Sequence, residues 1–171
     1  MNTTHVLVTV LLIVLVAVIL WLNHKTKKPV IYGTNALLSN LRMENGFNLS
    51  SSIGGLYDQF SVAFDDHNHL LGYITGEKQT YLGFEEIIAV RLASNGEQTL
   101  RSPGNFDAVD VLLITNNPHV GILKINCLDK KMLNEHFNGE PDDSCYDEAY
   151  NEAIETATAI IHEINKRRHW K

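Results

Sequence analysis

Over residues 6–22 the chain reads VLVTVLLIVLVAVILWL, 17 positions with no charge and with Thr9 as the one polar residue. A helix rising about 1.5 Å per residue covers roughly 25 Å with this segment. Thr4, His5 and Trp21 carry it toward the interfaces of a bilayer whose hydrocarbon core is about 30 Å thick. The pattern therefore predicts a membrane-spanning helix. A cleaved leader would need Lys or Arg before the apolar run and a small-x-small site after it. Residues 1–5 hold no Lys or Arg, and the run leads instead into Asn23-His24-Lys25-Thr26-Lys27-Lys28. The flanks favour an uncleaved anchor, and the lysine excess places the C-terminal side in the cytoplasm with residues 1–5 outside.

Beyond the anchor the period changes from continuous apolar to alternating. Phe60, Val62 and Phe64 alternate with Ser61 and Ala63, Asp65-Asp66-His67-Asn68 turns the chain, and residues 70–75 return it as the second arm of a hairpin. Further strands are predicted over 79–84, 87–93, 97–101, 109–115 and 120–127, with Asn95-Gly96 as a type I′ turn signal. Residues 35–43 could form a short helix, and 50–55 (SSSIGG) read as a loop. From Tyr146 onward, apolar or small residues fall at 146, 150, 153, 157, 160 and 164, which predicts an amphipathic helix over about 145–168. Ser144 is its expected N-cap with Asp147 three residues on, and Lys166, Arg167 and Arg168 complement the dipole at its end. Seven strands and one C-terminal helix indicate an α+β fold: a strongly bent antiparallel sheet or partly open barrel that the helix plugs. The expected organisation is a short external N-terminus (1–5), the anchor (6–22), a basic flank and connector (23–58) and one cytosolic domain (59–171).

Charge narrows the partners. All 20 acidic residues and 11 of the 14 basic ones follow residue 28, a net charge of −9, so the domain surface repels nucleic acid and anionic lipid. Four of those basic residues crowd positions 166–171. Cys127 and Cys145 would face the reducing cytosol and are expected as free thiols.

The stretches 60–65 (FSVAFD) and 81–96 (YLGFEEIIAVRLASNG) resemble the opening of bacterial pleckstrin-homology-like (PH-like) domains. The similarity extends over about 60–168 through the order of seven strands followed by a helix. It implies a binding or scaffold role at a bacterial inner membrane, and fold alone fixes no activity. Phosphoinositide-binding members carry basic residues in the loop between the first two strands. Here that loop is Asp65-Asp66-His67-Asn68-His69, whose carboxylates oppose a phosphoinositide headgroup.

No motif dictates a chemistry. Asp65, His67 and His69 have side chains suited to a divalent metal, although a solvated turn explains the same residues. Glu85 and Glu86, as neighbours on a strand, would point to opposite faces, and Asp142 and Asp143 serve a helix start. His162 has no second histidine four residues on. A thiolate at Cys145 is disfavoured by Asp142, Asp143 and Asp147. Lys25, Lys27, Lys28, Arg167, Arg168, Trp170 and Lys171 are candidates for contact with the membrane surface.

The expected function is non-enzymatic and needs no cofactor: a single-pass membrane protein whose cytosolic module binds a protein partner, with strand addition near 97–101 as one route. The alternatives are a tethered metal-dependent hydrolase using Asp65, His67 and His69, and a phage- or mobile-element-type immunity or exclusion protein.

Overall fold

The computed structural model describes residues 30–32, 37–38, 46–94 and 108–168. The predicted anchor at 6–22, the basic flank, the strand expected at 97–101 and the tail at 169–171 lie outside the described residues. Among the described residues no helix is long and apolar enough to cross a membrane.

The chain forms β1 (Val30–Tyr32), β2 (Ser51–Gly54), β3 (Phe60–Asp65), β4 (Leu70–Thr75), β5 (Gln79–Gly83), β6 (Ile87–Ser94), β7 (Ala108–Thr115) and β8 (Ile122–Asp129), then α1 (Lys130–Phe137) and α2 (Asp143–Arg168). Strands β2 to β5 form an antiparallel meander, with β1 added in parallel beside β2. A second antiparallel meander holds β6, β7 and β8. The class is α+β, as expected. Among the described residues no ladder joins the two meanders, so they are two open sheets and not the partly open barrel that the pattern suggested.

Register decides which side chains meet. Ile53 lies opposite Val62, and Val62 opposite Tyr73, so all three share one face of the first sheet. That face joins Val109, Val111, Leu113, Leu123 and Ile125 of the second sheet in the main core. Helix α2 covers this core with Tyr146, Ala149, Ala153, Ala157, Ile160 and Ile164. Small alanines in mid-stripe let the helix backbone approach the sheets closely, as dense packing requires. The opposite face of the first sheet is not bare: Ala63 and Ile74 lie under Leu38 and Phe47 in a second, smaller cluster. Strand β3 is consequently buried at every position, although its alternation reads as half-exposed.

Three expectations change. Residues 51–54 form a strand of the sheet, because pairing with β3 overrides the low strand preference of Ser-Ser-Ile-Gly. The folded unit thus begins upstream of residue 59. Helix α1 was not expected at all. Asp129 caps its start by accepting a hydrogen bond from the Met132 amide at 2.7 Å, and Asn138 ends it in the left-handed conformation. The long helix does fall where its stripe predicted, but Asp142 caps it in place of Ser144: the Asp142 Oδ1 accepts from the Cys145 amide at 2.9 Å and from the Ser144 hydroxyl at 2.8 Å. These bonds, led by the one from the Cys145 amide, hold the Asp142 carboxyl below the usual range.

Candidate functional site

The turn between β3 and β4 carries the residues first considered for a metal. Asp65 closes β3 with its side chain fully buried. Its Oδ1 accepts from the amides of His67 (2.9 Å) and Asn68 (2.8 Å), and its Oδ2 from the Asn48 amide and the Asn68 side-chain amide, both at 2.7 Å. Four donors occupy the carboxylate, so its role is to organise the turn. His67 and His69 stand exposed beyond it, His69 with φ 56° in the left-handed region. Asp65, His67 and His69, weighed as metal ligands against a solvated turn, are not brought together as a ligand set. Among the described residues no three His, Cys, Asp or Glu side chains are placed to share a metal ion.

Arg167, a candidate for contact with the membrane surface and for complementing the helix dipole, is buried, leaving 4 % exposed. It continues the core stripe three residues after Ile164. Its Nε donates to Asp66 Oδ1 at 2.5 Å, its Nη2 to Ser51 Oγ at 3.0 Å, and its Nη1 pairs with Glu163. The guanidinium also lies over the Phe64 ring, 4.4 Å from its centre. Burial alone would lower the pKa of Arg167. The hydrogen bonds that Arg167 donates to Asp66 and Glu163 outweigh it and hold the value above the ordinary one. One side chain thus fastens the end of α2 to β2, β3 and the β3–β4 turn. Arg168 is half-buried and donates from Nη1 to the Ile88 carbonyl at 2.8 Å. Lys25, Lys27, Lys28, Trp170 and Lys171 lie outside the described residues.

The remaining candidates have structural partners. Glu85 and Glu86 lie on a 3-10 turn, Phe84–Glu86, and not on a strand. Glu86 accepts from the Gly83 amide and from the Asn117 side chain, which ties the first sheet to the turn after β7. Cys127 and Cys145 are both free. Burial, with the charge of Asp110, pushes the Cys127 thiol up to about 12. The Cys145 thiol is also raised, first by its hydrogen bond with Asp142, a direction that disfavours the thiolate.

A groove forms where β2 leaves the sheet opposite α2. Its volume is about 580 Å³, within the roughly 300–1,000 Å³ common for ligand pockets. One wall is 53–58, Ile-Gly-Gly-Leu-Tyr-Asp, which includes the 3-10 turn Leu56–Asp58. Gly55 is required there, since a Cβ would lie 2.1 Å from the Phe60 ring. Tyr57 (φ 53°, ψ 28°) and Asp58 (φ 56°) are both left-handed, a conformation that costs an L-residue about 1–2 kcal/mol. Buried Leu56 anchors the turn from within, and the Tyr57 ring stacks on His136, 3.7 Å between centres, with Phe137 edge-on. The other wall is one face of α2: Glu152, Glu155, Thr156, Ala159, His162 and Glu163.

Charge in the groove is one-sided. Glu163 is paired with Arg167, whereas Asp58, Glu152 and Glu155 are exposed and form no salt bridge with a described residue. The Tyr57 phenol senses this field: burial raises its pKa, and Glu152 raises it further. The sequence reading missed the groove because its walls lie about a hundred residues apart. The local signals were Gly54-Gly55 before an aromatic-acidic pair, and the acidic face of the helix beside its core stripe.

No protein-family model, curated protein or solved structure matches this chain.

Proposed function

We propose that the protein is a membrane-tethered, PH-like binding module that holds a protein partner at the inner surface of a bacterial membrane and performs no chemistry itself. Support for the PH-like reading comes from the antiparallel meander β2–β5, the antiparallel meander β6–β8 and the C-terminal helix α2 packed over both sheets, with β1 and α1 additional to that order. Support for the tether comes from the 17-residue apolar run and the lysines that follow it. The observation that carries the binding role is the groove between the β2 turn and α2, with two left-handed residues in one wall. Strain of that kind collects at recognition sites, where it fixes side chains before the partner arrives. The strand-addition route near 97–101 lies outside the described residues, and β6, an edge among the described strands, already has Arg168 on its Ile88 carbonyl.

The test uses full-length protein in its membrane. Alkaline extraction should leave it with the lipid, and protease added outside spheroplasts should leave the C-terminal domain intact. Chemical cross-linking in the same membranes should trap a discrete protein adduct. Extraction into the alkaline supernatant overturns the tether, and stoichiometric zinc in the purified protein overturns the non-enzymatic role.

A further inference from the structure

We propose that the groove between the β2 turn and α2 takes a basic, amphipathic peptide segment of the partner, its Lys or Arg side chains pairing with Asp58, Glu152 and Glu155. The assignment rests on the binding-module reading above and adds the chemistry of the partner. The apolar part of the lining is Ile53 and Leu56 in the turn wall and Ala159 in the helix wall. The three carboxylates stand on both walls, Asp58 on the turn and Glu152 and Glu155 on the helix. A segment alternating cationic and apolar side chains satisfies both parts at once. Its apolar groups cover that apolar lining, and its long cationic stems carry their charges to the carboxylates.

Electrostatics excludes the alternatives. Phosphate-bearing ligands, nucleic acid or lipid headgroup, would meet three carboxylates that form no salt bridge with a described residue, within a stretch, residues 29–171, whose net charge of −9 includes them. A small inorganic cation is poorly served, since the described carboxylates do not converge on one point. A peptide distributes its charges along the groove as the carboxylates are distributed. The surrounding field also speeds encounter with a cationic segment, an effect that salt suppresses.

The experiment uses full-length protein in detergent micelles and three fluorescein-labelled peptides of about ten residues: alternating Lys and Leu, the same with Glu for Lys, and the same with Gln for Lys. Anisotropy should show the Lys peptide binding and the Glu peptide not binding, with the Gln peptide weaker than the Lys peptide by about tenfold or more. The double variant Glu152→Lys/Glu155→Lys should weaken the Lys peptide at least about tenfold, whereas Glu77→Lys/Glu140→Lys, an equal charge change at exposed sites away from the groove, should leave it within about twofold. Both variants should melt with the parent protein. Equal loss in the two variants, or equal affinity for the Lys and Gln peptides, overturns the assignment. If the cross-linked partner is retained undiminished by Glu152→Lys/Glu155→Lys, the groove assignment falls while the binding-module reading stands. If no partner is trapped by the parent protein yet the Lys peptide binds as expected, the groove's selectivity for cationic peptide stands while the membrane-held protein partner falls.

Discussion

The carboxylates of the β3–β4 turn and those of the groove differ in what surrounds them. Asp65 is fully buried and accepts four hydrogen bonds, and Asp66 pairs with buried Arg167. Asp58, Glu152 and Glu155 are exposed and bridge to no described cation. Both sets are carboxylates, but only the turn set is contiguous in the sequence, the groove set being drawn from positions 58, 152 and 155. The turn set has spent its hydrogen-bonding capacity on the fold, and the groove set has kept its charge available. Stability and recognition are therefore expected to separate between the two regions.

The separation can be tested by substitution, beginning with the largest effect. Arg167→Ala should cost about 3 kcal/mol, because it leaves Asp66 and Glu163 without their cation and removes the link between α2 and the first sheet. A denaturant titration would measure it, and a loss below about 1 kcal/mol would mean that the ion pairs are solvated and dispensable. Asp65→Ala should cost about 2 kcal/mol by leaving the amides of Asn48, His67 and Asn68 without their acceptor. It should leave peptide binding in the groove unchanged. Asp58→Gly is expected to act in the other direction, stabilising the fold by about 0.5 kcal/mol through relief of the left-handed backbone. The same change should weaken the cationic peptide, a trade of stability against binding that no residue of the β3–β4 turn should show. Glu152→Lys/Glu155→Lys should move stability by less than about 0.5 kcal/mol, since both side chains are exposed.

What could be read from the letters alone follows the same division. The stripe of α2 and the hairpin from β3 to β4 were legible because each is a local period written in adjacent residues. Helix α1 was not, because eight residues that bury only Leu133 show too little periodicity. Its signals were the caps, Asp129 and Asn138-Gly139. Strand β2 was read as a loop because Ser51 and Ser52 give no apolar alternation, and only pairing with β3 makes them a strand. Arg167 was read as one of several cations closing a helix and as a candidate for the membrane surface, although its position three residues after Ile164 continues the buried stripe. The groove was invisible for a simpler reason. It exists only where residues 53–58 meet 152–163, a juxtaposition that depends on the packing of α2 over β2.

The most direct measurement is photo-cross-linking from a benzoylphenylalanine placed at Ala159, an exposed position in the helix wall, in full-length protein within native membranes. The account predicts an adduct that mass spectrometry maps to a Lys- or Arg-rich segment of one partner protein, and that Glu152→Lys/Glu155→Lys abolishes. An adduct mapping to an acidic segment, or one that persists undiminished in that variant, would contradict it.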